Sequence, residues 1–363
     1  MEIAYRDLSV NDTGLRSELV SAVEKVLAHG RIILGPEVEA FEKKIAMYCK
    51  KKWAVGVGSG TCALYLALRS LGVGFGDEVI TTPLSWIATF NAITLCGADP
   101  VIVDINEDLN INPELIPMAI TRRTKAIIPV HFTGRMCNMT RINEIASEHG
   151  LFVVEDAAQA FGAHKDGNMA GSFGHVNCFS MNPMKVFGGY GEAGAVVTDD
   201  NRIYEKLLSL RYAGTVDKED CHFPSLNGRI DTIQAAMLLI QFKYLNAKIE
   251  KHRQIATYYT ESLKNIVTCP WDDDSYHIYY SYTILTEMRD DLKRYLSSKG
   301  IETKIQHPIL MPYHSAYRNM EVGEMPIAER LVNRILCIPN HEKLTTGETE
   351  YIVKSIKEFF MAG

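Results

Sequence analysis

Two side chains, Lys185 and Asp156, have the types and surroundings that amine chemistry on a planar cofactor requires. Lys185 lies beside the glycine-rich segment 188–194, whose small and flexible backbone lets a bulky planar ligand approach. Asp156 ends the apolar run 151–156, and a carboxylate at the C-terminal edge of a strand can pair with a protonated ring nitrogen. An imine-forming lysine and such a carboxylate together indicate pyridoxal phosphate chemistry.

Each of these residues also has a plainer interpretation. A lysine is usually a solvated surface charge, and Asp156 could simply cap the turn that follows it. The segments that flank Lys185 favour the chemical interpretation, because the lysine lies between two strand-like runs, 176–180 and 194–198.

Residues that could bind a phosphate group follow the first strand-like run. The segment 56–61 opens the helical pattern 62–68, so the backbone amides of Gly60 and Thr61 would point outward at a helix N-terminus. Ser180 could give its hydroxyl to the same phosphate. The alternatives are a tight turn that Thr61 caps and, for Ser180, an ordinary residue at the end of a strand.

Two further side chains could contact the cofactor ring. Trp86 follows the run 78–80 and could stack on a planar pyridine, since indole faces favour offset stacking. A tryptophan of the core is an equal alternative. Gln159 could hydrogen-bond a phenolic oxygen if it projects into the same crevice as Asp156, and a surface glutamine is the simpler interpretation.

Other kinds of chemistry lack their usual signals in this sequence. The segment 189–194 matches Gly-x-Gly-x-x-Gly, but a strand-like run rather than a helix follows it, which argues against dinucleotide binding. No metal-ligand spacing connects the eleven histidines, so no metal site is predicted. His131, His307 and His314 could bind substrate or transfer protons, although a single histidine is more often structural.

Composition narrows the class of protein further. The 363 residues are 47% hydrophobic, enough for one large and one smaller domain, and the net charge of −6 gives nucleic acid binding little support. The eight scattered cysteines predict reduced core thiols. With no signal-like amino terminus and no run of 18 apolar residues, a cytoplasmic protein without membrane association is expected.

The order of apolar patterns predicts an α/β fold. Helical spacing in 14–29 and 36–50 precedes a region, from Trp53 to about Asp200, in which short β-branched runs alternate with helical patterns. A long helix from Asp231 to about Glu261 and a strand over 278–284 are predicted after it. The predicted domains are residues 1–240, with an N-terminal segment and a large domain with a mostly parallel sheet, and residues 241–363, a smaller domain.

The chain resembles the DegT/DnrJ/EryC1/StrS sugar aminotransferases, pyridoxal phosphate enzymes of the aspartate aminotransferase fold. The segments that carry the resemblance are 33–41, 58–61, 76–83, 155–159, 171–174, 180–194 and 227–236. It implies fold type I, with a large domain that binds pyridoxal phosphate and a smaller C-terminal α/β domain.

The resemblance also implies a role for each candidate near the cofactor ring. Lys185 would form the internal aldimine and, once released, move a proton between carbon atoms. Asp156 would pair with the pyridinium nitrogen, Trp86 would stack on the ring and Gln159 would sit beside the phenolic oxygen.

The phosphate contacts that the resemblance implies involve two chains. Gly60, Thr61 and Ser180 would hold the phosphate within one subunit. Asn227 matches the position from which family members reach the cofactor phosphate of the neighbouring subunit. A homodimer with two shared active sites follows.

The implied reaction is a two-step transamination. Glutamate would give its amino group to produce the pyridoxamine form, which would then aminate a nucleotide-linked keto sugar for amino sugar or polysaccharide biosynthesis. Two alternatives remain: a dehydratase-type relative that uses pyridoxamine phosphate and has histidine in place of the lysine, and a catalytically silent regulatory protein. The presence of Lys185 and Asp156 argues against both.

Departures from the family pattern concern the substrate more than the cofactor. Residues 186–188 read Val-Phe-Gly in place of Asn-Leu-Gly, and 192–193 read Glu-Ala in place of Asp-Gly. Gln306 stands where histidine is frequent and His307 where tyrosine is frequent. His307 and Arg229 are candidate substrate-binding residues.

Overall fold

A computed structural model describes residues 2–270 and 275–361. The α-helices are α1 (Thr13–His29), α2 (Pro36–Tyr48), α3 (Gly60–Ser70), α4 (Ala88–Leu95), α5 (Ile116–Ala119), α6 (Met139–His149), α7 (Asn201–Arg211), α8 (Thr232–Gln241), α9 (Leu245–Leu263), α10 (Arg289–Ser298), α11 (Pro326–Val332) and α12 (Thr346–Met361). The strands are β1 (Trp53–Val57), β2 (Glu78–Thr81), β3 (Asp99–Ile102), β4 (Thr124–Ile128), β5 (Phe152–Asp156), β6 (His164–Lys165), β7 (Asn168–Met169), β8 (Val176–Ser180), β9 (Gly194–Thr198), β10 (Thr215–Val216), β11 (Asp220–Cys221), β12 (Tyr282–Leu285) and β13 (Ile335–Ile338).

A seven-stranded sheet forms the centre of the fold. Its strand order is β1-β9-β8-β5-β4-β2-β3, and β9 alone among these strands runs antiparallel to both neighbours. Parallel strands need helical crossovers that cover both sheet faces, and this is why their sequences read as short, almost wholly apolar runs. The α/β fold with a mostly parallel sheet is therefore confirmed.

The strand order places three candidate segments at one edge of the sheet. The strands β1, β5 and β8 point the same way, so the residues after Val57, Asp156 and Ser180 meet at their carboxyl ends. Ligands of open α/β sheets bind in the crevice outside this edge.

The prediction of one long helix from Asp231 to about Glu261 is wrong, because a turn separates two helices, α8 and α9, in this region. Lys243 and Tyr244 donate to carbonyls three residues back, which makes a tight turn in place of a helical one. Phe242 in this turn packs edge-on against Tyr48, with ring centroids 5.1 Å apart. Aromatic packing of this kind overrides the local helical spacing.

The strand predicted over 278–284 is wrong in its first half. Strand β12 begins at Tyr282, and Tyr279 has a left-handed backbone with φ of 49°. The amides of Ile278 and Ser281 bond to the carbonyls of Gly134 and Thr133, each at 3.3 Å. This segment is therefore held against the turn at 133–134 and does not alternate as a strand does.

A second core lies around the antiparallel pair β12–β13. Side chains from α9, α10 and α12 pack there, with Tyr259 and Tyr282 fully buried in the cluster. The domain boundary near residue 240 stays a prediction, and α8 ends at Gln241. All eight cysteines are free thiols. No helix within the described residues is both long and apolar enough to cross a bilayer.

Candidate active site

A cavity of about 520 Å³ lies at the carboxyl edge of the sheet and brings together most of the predicted site residues. The predicted residues that line it are Gly60, Thr61, Trp86, Asp156, Gln159, Ser180, Lys185 and His307. Asn227 and Arg229 do not line it. His131 and His314 do not line it either. Of the three candidate histidines, His307 alone lines the cavity.

Asp156 lies buried at the end of β5 as a carboxylate with two hydrogen bonds. Thr89 Oγ1 donates to Oδ2 at 3.0 Å, and the Ala158 amide donates to Oδ1 at 3.2 Å. The second bond is the turn cap that the plainer interpretation of Asp156 expected, yet the side chain also lines the cavity. Burial raises the pKa of Asp156 above its ordinary value. A protonated ring nitrogen would supply the positive partner that such a carboxylate requires.

Gln159 is buried, and its carbonyl oxygen is already occupied. The Thr133 amide donates to Oε1 at 3.0 Å, and Gln306 Nε2 donates to the same oxygen at 3.2 Å. Because a backbone amide can only donate, these bonds fix the orientation of the side-chain amide and leave its Nε2 group as the free donor. A donor at this place fits a phenolic oxygen, and the surface interpretation of Gln159 is wrong.

Gln306 belongs to a chain of hydrogen bonds that reaches Tyr5 in the amino-terminal segment. Ser281 Oγ donates to Gln306 Oε1 at 2.6 Å and lies 3.1 Å from the Tyr5 hydroxyl. The glutamine that stands where histidine is frequent is thus buried and supports Gln159.

The start of α3 has the geometry of a phosphate cradle. Ser59, not Thr61, caps the helix, since Ser59 Oγ accepts from the Cys62 amide at 3.1 Å. The amides of the first helical turn point outward and have no partner within the helix. Gly60 lies so close to Ser180 that a Cβ atom on it would be 2.7 Å from the Cβ of Ser180. The backbone and the Ser180 hydroxyl therefore face one small volume, which fits a phosphate group.

We expect Gly60→Ala to weaken binding of pyridoxal phosphate by roughly ten-fold or more, which corresponds to about 1.4 kcal/mol. The added Cβ must displace Ser180 or the first turn of α3. The measurement is a cofactor titration of the apoprotein followed by absorbance. Gly347→Ala in α12 is the matched control, because a Cβ there meets nothing within 4 Å. Equal affinities for both variants would contradict the cradle.

Trp86 is 61% exposed and lines the cavity, so the alternative of a core tryptophan is wrong. Its ring lies 5.8 Å from that of His307 at an interplanar angle of 42°. Among the residues that the structure describes, no side chain stacks face to face on this indole, so a planar ligand can do so.

Lys185 reaches into the cavity from the turn after β8, and its Nζ lies 4.6 Å from the ring centroid of Tyr280. Tyr280 lies within the strand predicted over 278–284 and is not among the predicted site residues. Burial raises the pKa of the Tyr280 phenol, but Lys185, Arg6 and Lys304 lower it more, so the net shift is downward. Tyr280 is therefore a site residue that the sequence analysis missed.

A buried hydrogen-bonded pair, His131 and Glu155, packs beside the end of β5. His131 Nε2 lies 2.7 Å from Glu155 Oε1, and both side chains are fully buried. Glu155 also accepts from the amides of Gly171 and Phe173, at 2.6 and 3.0 Å. Burial raises the pKa of Glu155, while the bonds from His131 and the loop amides bring it below its usual value. His131 is thus a structural residue beside Asp156.

This sheet, with a lysine and a buried aspartate facing one cavity at its carboxyl edge, is the architecture of pyridoxal phosphate enzymes of fold type I. The chain matches the DegT/DnrJ/EryC1/StrS aminotransferase family over residues 14–357. It belongs to that family and is a pyridoxal phosphate-dependent aminotransferase.

Similar proteins cover almost the whole chain. A dTDP-3-amino-3,4,6-trideoxy-alpha-D-glucose transaminase of Streptomyces venezuelae is 37% identical, over 98% of this chain and 96% of its own length. A pleiotropic regulatory protein of Geobacillus stearothermophilus is also 37% identical, over 99% of both chains. The solved structure of NtdA from Bacillus subtilis with bound cofactor PMP superposes with a TM-score of 0.93 at 30% identity, over 99% of this chain and 85% of that one.

Proposed function

We propose that the protein transfers an amino group from glutamate to a nucleotide-linked keto sugar. The observation that carries the proposal is the placement of Lys185 and the buried Asp156 in one cavity beside a phosphate cradle. The name of the Streptomyces venezuelae relative, a transaminase of a dTDP-linked sugar, supports the choice of acceptor.

Pyridoxal phosphate, when bound, supplies an electron sink for the carbon atom that loses a proton. The residues of the chain have separate tasks around it. The Lys185 amine takes a proton from one carbon and returns it to another. Asp156 would hold the ring nitrogen in its protonated form, and the free Nε2 group of Gln159 would donate to the phenolic oxygen. Trp86 would cover one face of the ring and exclude water from it.

Residues of the same chain would hold the phosphate group. The first-turn amides of Gly60 and Thr61 and the hydroxyl of Ser180 line the cavity, and they would hold the phosphate while Asp156 holds the ring nitrogen. Anchoring both ends fixes the position of the reacting carbon relative to the Lys185 amine, and such positioning contributes to catalysis in its own right.

The regulatory alternative gains no support from the site. A silent relative would be free to lose the lysine or the aspartate, and both remain in the cavity. An assay of amino transfer from glutamate to dTDP- and UDP-linked keto sugars tests the proposal. Amino sugar product supports it, whereas a cofactor-loaded protein that aminates none of them contradicts it.

The proposed active form is a homodimer in which Asn227 reaches the site of the other subunit. Asn227 is exposed and accepts a hydrogen bond from Arg229 Nε at 2.6 Å, outside the cavity of its own chain. The Arg229 guanidinium also packs over the Tyr212 ring at 4.4 Å. Both side chains are thus held in place on the surface, as residues that act on a neighbour would be. We propose Arg229 as a contact for the substrate in that neighbouring site.

Exposed apolar side chains in the segments 32–33 and 226 support association of two copies. Ile32, Ile33 and Leu226 are all exposed; Leu226 directly precedes Asn227, and Ile33 pairs with Asp231 in a β-bridge. Apolar side chains grouped on a surface are typical of contacts between subunits. A cytoplasmic location stays a prediction from the sequence.

We expect two inactive variants to restore each other when they are mixed. Asn227→Asp puts a negative charge beside the phosphate, and Lys185→Ala removes the amine. A mixed dimer with shared sites contains one intact Lys185 with one intact Asn227. After subunit exchange, roughly a quarter of the wild-type activity should return, since half of the dimers are mixed and each has one intact site.

The control mixture is Lys185→Ala with Lys185→Arg, in which no dimer has an intact lysine. Native mass spectrometry should show twice the chain mass of 40.7 kDa. A monomeric, fully active protein or the absence of restoration in the first mixture would contradict shared sites.

A further inference from the structure

Lys304 is a cation that lines the active-site cavity and forms no ion pair with an acid among residues 2–270 and 275–361. Its backbone is fixed by the bridge to Cys337, with N–O distances of 3.0 and 2.8 Å. The side chain is exposed to solvent and lines the same cavity as Lys185. In the part of the chain that the structure describes, no carboxylate forms an ion pair with its ammonium group.

The acids that line the cavity are already engaged elsewhere. Asp156 accepts a hydrogen bond from Thr89, and Glu192 accepts one from Asn182 Nδ2 at 2.7 Å. The positive charge of Lys304 acts on the interior of the cavity, since it lowers the pKa of both Tyr280 and His307. An anion that enters this part of the cavity would therefore meet an unneutralised positive charge.

His307 lines the same cavity and has a buried ring nitrogen without a hydrogen-bond partner among the described residues. Its Nε2 atom is buried and has no hydrogen bond among the described residues. The ring lies 5.8 Å from the rings of both Trp86 and Phe132. Burial, followed by the charges of Lys185 and Lys304, lowers the pKa of His307 to about 3. The imidazole is therefore neutral at physiological pH and can donate one directed hydrogen bond.

The backbone of His307 shows that its position is maintained against strain. Its φ of 55° lies in the left-handed region, which a non-glycine residue adopts at a cost of about 1–3 kcal/mol. The chain keeps the side chain in the cavity despite this cost. A buried imidazole without a partner is otherwise unfavourable, because an unmade hydrogen bond costs free energy.

We propose that Lys304 and His307 together bind a carboxylate of the amino donor. Lys304 supplies a positive charge, and His307 donates a directed hydrogen bond from Nε2–H. This inference rests on the proposed function, in which the amino acid nitrogen reacts beside Lys185. The α-carboxylate is two bonds from that nitrogen, so it must enter the same cavity. Two hydrogen bonds to one carboxylate, one from a charged group and one from a neutral group, would orient the amino acid relative to Lys185.

The test compares binding with reaction in the cofactor-loaded enzyme. Lys304→Gln is expected to weaken binding of glutarate, a dicarboxylate that cannot react, by about 10- to 100-fold in calorimetry. The glutamate concentration for half-maximal rate of the first half-reaction should rise by the same factor. Lys304→Arg should retain most of the affinity, and Lys354→Gln, on the exposed surface of α12, should change neither quantity.

A second pair of variants examines the imidazole. His307→Phe should also weaken glutarate binding, whereas His307→Gln, which keeps a donor, should retain most of it. Unchanged binding of glutarate and unchanged dependence on glutamate in Lys304→Gln would overturn the proposal. Glutarate binding requires no amino transfer, so a wild-type enzyme that binds it through Lys304 but does not react with glutamate would contradict the proposed function alone.

Discussion

Lys185→Ala is expected to lower the rate of amino transfer by at least about 10⁴-fold. The Lys185 amine both links the cofactor and moves the proton, and proton transfer by a positioned group alone contributes about 10²–10⁴-fold. The variant should still bind pyridoxal phosphate, because Gly60, Ser180 and Asp156 remain. Steady-state turnover and reduction with borohydride, followed by peptide mass analysis, measure the two consequences.

Lys185→Arg is the matched control for charge and size. Arginine stays protonated at neutral pH and cannot take up the proton, so this variant should be as inactive as Lys185→Ala. In the wild-type protein, borohydride should fix the cofactor on the peptide that contains Lys185. A Lys185→Ala protein that keeps the same reducible visible band, or that turns over within ten-fold of wild type, would show that another group does this chemistry.

Asp156→Asn is expected to reduce turnover by roughly 10²–10³-fold. The substitution keeps the shape of the side chain but removes the negative charge that holds the ring nitrogen protonated, and loss of one preorganised electrostatic contact has effects of this size. The half-reactions with glutamate and with keto sugar should slow together, since both depend on the same ring. Thr89→Val, which removes only the donor to Asp156 Oδ2, should have a smaller effect on both.

The stability of the apoprotein distinguishes this loss from misfolding. Burial raises the pKa of Asp156 in the fold above its unfolded value. The protonated carboxyl is therefore the better tolerated form, and its contribution to stability is lost as pH rises from the unfolded pKa through the folded pKa. Above that window, apoprotein with Asp156→Asn should melt no lower than wild type. A clear decrease in the Tm of Asp156→Asn at neutral pH would contradict the inference that the ionised Asp156 carboxylate destabilises the apoprotein.

The sequence predicted the central sheet well because buried parallel strands are short apolar runs with breaks between them. The predicted runs at Val176–Ser180 and Gly194–Thr198 coincide with β8 and β9. The prediction failed where contacts between residues distant in sequence determine the backbone conformation. The break before α9 depends on packing of Phe242 against Tyr48, and the late start of β12 depends on bonds to the turn at 133–134.

The same distinction holds for the site. Lys185, Asp156 and Gly60 could be found because their neighbours in sequence carry the signal: a glycine-rich loop, the end of a strand and the start of a helix. Tyr280 and Lys304 have no such neighbours. They reach the cavity only through the left-handed turn at Tyr279 and the bridge to Cys337. Neither feature leaves a periodic pattern in the sequence.

The most direct measurement is the absorption spectrum of the purified, cofactor-loaded protein before and after glutamate is added alone, without any acceptor. We expect the visible band of the lysine-linked cofactor to disappear and the near-ultraviolet band of the amine form to replace it. One 2-oxoglutarate should form for each active site. A visible band that glutamate leaves unchanged, with no 2-oxoglutarate formed, would contradict amino transfer from glutamate at Lys185.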